Sequence, residues 1–115
     1  MSKWPEARES YLNCLRLLVR GKPGHADLEM TCRRNLGQVL LELKEYQEAR
    51  QELSRVLQRN PGDVKARYRR ALANLYLEDF DRAVDDCKHG GNTADSRLFE
   101  ALMRRIVSKA QQKLS

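Results

Sequence analysis

One pattern occurs twice in this 115-residue chain at a fixed spacing. Leu36-Gly37 … Tyr46-Gln47-Glu48-Ala49 … Leu53 falls in register with Arg70-Ala71 … Phe80-Asp81-Arg82-Ala83 … Cys87. Tyr46 to Phe80 spans 34 positions, and so does Ala49 to Ala83. A period in this range marks a solenoid, in which each repeat is one helix pair too small to bury its own apolar face. Such arrays present an extended concave surface to a partner. The repeat therefore favours an interaction module over an enzyme.

Hydrophobic periodicity places the helices. Apolar residues at 7, 11, 12, 15, 18 and 19 form one stripe at helical spacing, predicting a helix over 4–20 with Pro5 in its first turn. Arg20-Gly21-Lys22-Pro23-Gly24 breaks it. A second helix over 25–43 turns Leu28, Cys32, Leu36, Val39, Leu40 and Leu43 inward. Past a turn at Lys44-Glu45, a third covers 46–59 through Ala49, Leu53, Val56 and Leu57. Asn60-Pro61-Gly62 stops that helix, since Pro lacks a donor and Gly accepts positive φ. Asp63 is the N-cap expected for a fourth helix over 64–77. The fifth runs over 80–89 and is ended early by Gly90-Gly91, and a last helix over about 94–113 starts from a cap at Asn92 or Thr93. Connections this short force antiparallel neighbours. The small residues Gly37, Ala49, Ala71 and Ala83 fall where paired helices approach closely.

The pattern of the second helix of each pair occurs a third time, at the N-terminus. Trp4-Pro5-Glu6-Ala7 … Tyr11 … Cys14 matches Tyr46 … Ala49 … Leu53 … Val56 at an offset of 42, and the eight additional residues fit the 20–27 region. No first helix of that pair fits before Trp4. The expected fold is all-α, a single domain over 1–115 built as an antiparallel helix-pair solenoid. Its parts are an incomplete first repeat (4–24), a second repeat (25–62), a third repeat (63–91) and a capping helix (92–115).

Composition narrows the function classes. The chain is 41% hydrophobic and 33% charged, with a net charge of +6 and a pI near 9.5, which favours an anionic partner. Its few aromatics show no stacking pattern and no nucleic-acid recognition motif is present, so nucleic acid is not an expected partner. No apolar run approaches the roughly 20 residues of a membrane span, and the polar N-terminus is unlike a signal peptide. Cys14, Cys32 and Cys87 lie far apart in sequence without a CxxC pair. Their odd count argues for a reducing compartment, hence the cytoplasm with the nucleus as a second address. All three occupy apolar helical positions and read as small core residues, with no spacing that supports a redox or metal role. His25 and His89 have no clustered partners. With no nucleophile–base pair, metal cluster or phosphate loop, the sequence offers no catalytic residue, no metal site and no cofactor.

The segment Asn35-Leu36-Gly37 … Tyr46-Gln47-Glu48-Ala49 … Val56-Leu57 … Asn60-Pro61 resembles the tetratricopeptide repeat, and the resemblance covers residues 4–89. Within it, Lys65-Ala66-Arg67-Tyr68-Arg69-Arg70-Ala71 is similar to the Lys-Ala-x-Tyr-Arg-Arg-Ala segment of carboxylate-clamp co-chaperones, the large immunophilins among them. That resemblance implies a groove for the acidic C-terminal tail of cytosolic heat-shock chaperones, Glu-Glu-Val-Asp. Three of the clamp's five residues map here, to Asn35, Lys65 and Arg69. The other two belong to the first helix of the first repeat, for which the chain has no match, so weakened tail binding is expected. A peptidyl-prolyl isomerase domain preceding residue 1 would also suit the resemblance.

Elementary chemistry supports these positions. Lys65 and Arg69 are four apart and project from one helix face. Arg can grip a carboxylate bidentately, Lys supplies a point charge, and Asn both donates and accepts. Asn is a poor helix former, so its place in mid-helix suggests a job, although a hydrogen bond to a neighbouring repeat would also satisfy it. Arg34, Gln38 and Leu72 should border the same groove, Leu72 facing an apolar side chain of the tail. The bland alternative is a solvated basic helix face. Arg67 and Arg70 lie off the groove by helical angle and read as structural or surface residues.

In the last helix Leu98, Leu102, Ile106 and Ala110 recur every four residues, with Phe99 and Met103 beside them and Arg97, Arg104, Arg105, Lys109 and Lys113 elsewhere. A basic amphipathic helix suits calmodulin, but the stronger reading is a cap over the last repeat's apolar face. A competing function is a scaffold. The apolar face of the first helix (Trp4, Ala7, Tyr11, Leu15, Leu18) lacks cover on one side, and exposed surface of this kind favours a homodimer.

Overall fold

The periodicities above close into six helices in the computed structural model, which describes residues 3–18, 21–91 and 95–114. They are α1 (Trp4–Leu17), α2 (His25–Glu42), α3 (Tyr46–Arg59), α4 (Val64–Tyr76), α5 (Phe80–Gly90) and α6 (Ser96–Leu114). Each packs on the next in sequence, and α2 touches α4, which touches α6. The odd-numbered helices make no comparable contact with one another. The stack therefore curves toward its α2–α4–α6 side, the geometry of a helix-pair solenoid, and measures 50 × 35 × 19 Å.

Local chemistry sets the helix ends. Asp63 caps α4 as expected, accepting from the Ala66 N–H at 3.0 Å, and Asp79 caps α5 through the Arg82 N–H. After α2 the chain leaves through Lys44 at φ 62°, with the Glu45 N–H bonded to the Leu40 carbonyl and the Lys44 N–H to that of Leu41. After α4 the same corner recurs at Glu78, φ 60°, with Asp79 bonded to Asn74 and Glu78 to Leu75. These are Schellman ends, which satisfy carbonyls that a helix terminus leaves open. Gly62 does not take the positive φ expected of it, so the end of α3 rests on Pro61 and on the Asn60 N–H bonded to Val56. The expected cap at Asn92 or Thr93 and the stripe residue Val19 lie outside the described residues.

The four small residues are all buried. A Cβ on Gly37 would stand 2.6 Å from Leu53 Cδ2, itself fully buried, so α2 and α3 meet as closely as the sequence required. Helix α5 stops at the Gly90-Gly91 doublet as expected, 11 residues long against 14 for α3, but Gly90 is its last residue and also serves in packing. Its missing side chain leaves the space that the Phe99 ring of α6 occupies. Phe99, Leu102 and Ile106 carry the cap's burial against Ala71, Leu75, Ala83 and Cys87, whereas Leu98 and Leu28, both expected inside, are exposed. Inward-facing helical positions form an arc, and each of these leucines sits beyond its edge. Helix α1 has no fully buried residue. Tyr11, Leu12 and Leu15 rest half-buried on Leu36, Leu40, Ala49 and Ala73.

Charge also enters the interior. The Asp86 carboxylate, 2% exposed, receives Arg70 through two nitrogens at 3.0 and 2.6 Å, Arg67 at 3.3 Å and the Asn74 amide at 3.3 Å. Asn74 in turn accepts from Arg50 of α3, and Arg70 reaches Ser54. A buried carboxylate persists when paired and hydrogen-bonded in this way. Arg67 and Arg70 are thus structural, as their helical angle suggested. Cys32 and Cys87 are core residues, but Cys14 is only half-buried. Although the two are 18 positions apart in sequence, its sulfur lies 3.0 Å from that of Cys32.

Candidate functional site

Where α4 meets α2, Arg69 reaches Arg34, and Leu72 and Tyr76 share a cleft with Gln38 and Leu41; Lys65 lies one turn before Arg69 on α4, and Asn35 follows Arg34 on α2. A direct link between the two helices is Arg69, whose guanidinium donates to the Arg34 backbone carbonyl at 3.3 Å. Arg34 itself donates to Asp63 at 3.0 Å, so the α4 cap residue also holds an α2 arginine. Asp63 was legible in sequence as a cap; its second role needed the repeats to be stacked.

The electrostatics of Arg69 follow from this arrangement. Burial, and then the nearby Arg34 charge, pull its proton affinity below the ordinary arginine value, with Asp63 opposing in part. A half-buried guanidinium held by a carbonyl, beside a second guanidinium, is a position that an added anion would relieve. Lys65 is exposed, and among the described residues it makes no hydrogen bond or ion pair. Asn35 is half-buried and its side chain likewise has no partner among the described residues, so the neighbouring-repeat hydrogen bond that would have explained it is absent.

Gln38 and Leu72 meet farther along the same side, in an open cleft of about 420 Å³ with Leu41, Glu42, Lys44, Tyr46 and Tyr76. Gln38 donates to Glu42 at 2.9 Å, which puts an acidic group in this part of the groove. Tyr46 and Tyr76 stack with centroids 4.8 Å apart, and Lys109 of α6 lies over the Tyr76 ring. Sequence reasoning missed this aromatic wall. The only available signal was that Tyr76 continues the 65, 69, 72 series by four. Arg34 lines a separate cleft with Met30, Arg59, Asn60 and Asp63. Four of the six candidate residues therefore fall into a charged part at Arg34 and Arg69 and a mixed apolar part at Gln38 and Leu72, and no contact among the described residues ties the Lys65 or Asn35 side chain to either. The apolar face of α6 is turned into the core, so a calmodulin-type partner would have to displace the cap. Among the described residues no group of histidine, cysteine and carboxylate side chains could hold a metal ion, and no helix is long and apolar enough to cross a membrane.

Comparison with known proteins agrees with this fold. The tetratricopeptide repeat family model matches residues 1–64 and 34–88. The chain is similar to proteins named FK506-binding protein-like from Rattus norvegicus and Mus musculus, 39% identical to each over 82 residues. The human protein of that name is 37% identical over the same length. Each alignment covers 71% of this chain and 24% of the relative, so the matched region spans about a quarter of those proteins. Among solved structures, the chain superposes with a TM-score of 0.79 on the C-terminal TPR-containing domain of a Plasmodium falciparum protein titled as an FK506-binding protein. That match covers 96% of this chain and 80% of the other at 21% identity, a likeness of fold.

Proposed function

The chain belongs to the tetratricopeptide repeat family, a protein-interaction fold, and from that premise we propose that its curved face is a receptor for acidic C-terminal peptides of the heat-shock chaperone type. One observation carries the reading. Arg69 is half-buried next to Arg34, its side chain donates, among the described residues, only to a backbone carbonyl, and Lys65, unpaired among the same residues, stands one turn away on the same face. In this reading Arg69 and Lys65 take the two carboxylates of a terminal Asp. Asn35 donates to one of them, and Leu72 with the Tyr46–Tyr76 wall receives an apolar residue upstream. Similarity to proteins named FK506-binding protein-like supports a co-chaperone role.

The test is a calorimetric titration with a Glu-Glu-Val-Asp peptide. Losing a charge-assisted hydrogen bond costs about 1.5–3 kcal/mol, so Lys65→Ala/Arg69→Ala is expected to weaken binding by about tenfold or more. Equal affinity for the double variant and the wild type would remove the clamp.

A second reading rests on α1. None of its residues is buried, and Leu17 is 78% exposed. The partner it would take is the α1 of a second copy, making a homodimer that serves as a scaffold. Sedimentation over a wide concentration range is expected to show a rising mass that Leu17→Glu suppresses; a constant monomer mass excludes this.

A further inference from the structure

Cys14 and Cys32 are 18 residues apart in sequence and sit on different helices, yet their sulfur atoms are 3.0 Å apart. Both are free thiols. A disulfide needs about 2.05 Å between sulfurs, so a closing movement of about 1 Å joins them. The two cysteines differ in access. Cys14 is half-buried on α1, the helix with no fully buried residue, while Cys32 is 5% exposed on α2. Cys87, the third cysteine, is 3% exposed in the cluster against α6, with neither of the other two in that cluster.

We propose that Cys14 and Cys32 form a reversible redox pair, in which a small-molecule disulfide of the glutathione type oxidises them to an interhelical disulfide fastening α1 to α2. The steps balance as ordinary thiol–disulfide exchange. The Cys14 thiolate, the one that solvent reaches, attacks one sulfur of the small disulfide. A mixed disulfide forms on Cys14 and one thiolate leaves. The Cys32 thiolate then attacks the Cys14 sulfur and expels the second thiolate. The two cysteines lose two protons and two electrons, and the small disulfide becomes two small thiols. This order follows from the environments. Burial, and then hydrogen bonding and charge from Cys14, push the Cys32 thiol up to about 11, so Cys32 is the poorer first attacker and the better-placed resolving thiol. Its attack is intramolecular and needs no path to solvent.

The mechanical effect falls on α1. In the reduced protein this helix is held by the half-buried Tyr11, Leu12 and Leu15. A covalent tie at Cys14, between Tyr11 and Leu15, closes an 18-residue loop and removes freedom from the opened state of that helix. In an intracellular protein such bonds are transient and serve sensing.

The experiment incubates the full chain in glutathione buffers of increasing oxidised fraction. Acid quenching, alkylation of the unfolded chain and peptide mass spectrometry then follow. The expected product is an intramolecular Cys14–Cys32 peptide, reversed by dithiothreitol, with Cys87 remaining alkylatable. Cys32→Ser should stop at the mixed disulfide on Cys14, and Cys14→Ser should yield no cross-link, each variant keeping wild-type helical circular dichroism. Hydrogen exchange of α1 amides should slow by about tenfold or more in the oxidised wild type and stay unchanged in both variants. A stable mixed disulfide on wild-type Cys14, two thiols still alkylatable in the most oxidising buffer, or cross-links only between chains would each overturn the proposal.

Discussion

At the scale of single residues, size decides more than chemistry does. Gly37 is the clearest instance, because the atoms its Cβ would meet belong to Leu53, a core side chain with no solvent to retreat into. Overpacking of this kind costs about 1–3 kcal/mol, against which alanine's better helix propensity returns about 1. Gly37→Ala is therefore expected to lower stability by roughly 1 kcal/mol in urea unfolding; an unchanged or raised midpoint would contradict the close α2–α3 contact. The sequence revealed this residue because small side chains recur at fixed repeat positions. It could not reveal the role of Gly90, which looked like a helix stop. The ring of Phe99 that uses its space comes from α6, outside the repeat pattern. A glycine doublet signals chain freedom and close approach equally well, and only the neighbouring helix distinguishes them.

Between elements, the Asp86 cluster carries the most consequence. One carboxylate on α5 binds two arginines and an amide of α4, and the amide passes the connection to Arg50 on α3. Removing one partner of a buried ion pair typically costs about 3–5 kcal/mol, because charge is left behind without compensation. Asp86→Ala leaves Arg67 and Arg70 facing each other. It is expected to destabilise by this order in chemical denaturation, and a loss under about 1 kcal/mol would show that the cluster is effectively solvated. Helix positions, the Asp63 cap and the turn lengths were readable in advance, because they depend on residues within a few places of one another. This cluster was not. Arg67 and Arg70 looked like part of a basic run, and the acid that neutralises them lies 16 or more residues away on a different helix. The candidate groove divides in the same manner. The resemblance to carboxylate-clamp co-chaperones, supported by spacing along α4, brought out Lys65 and Arg69 with Leu72 beside them, while the Arg34–Asp63 pair and the Tyr46–Tyr76 stack depend on how successive repeats are stacked.

Across the whole molecule, contacts run almost entirely between neighbours in sequence, so the architecture followed from a single repeated unit. What the period could not convey is how the first helix of each unit turns into the second. Lys44 and Glu78 stand 34 residues apart in the same left-handed conformation, each closing a Schellman end and leading directly into an outer helix. A side chain with a Cβ pays roughly 1–2 kcal/mol to sit there, and glycine does not. Glu78 also holds a surface pair with Lys113, of the kind that contributes little. Lys44→Gly is expected to raise the thermal midpoint, corresponding to about 0.5–1 kcal/mol once glycine's extra unfolded-state entropy is subtracted; a lower midpoint would mean that the corner is not strained. The two corners thus act as adjusting screws for the stiffness of the array, set apart from the Arg34–Arg69 contact. A chain tightened at Glu78, outside the cleft that Lys44 lines, would separate how much of peptide affinity comes from a rigid frame and how much from the charges mounted on it.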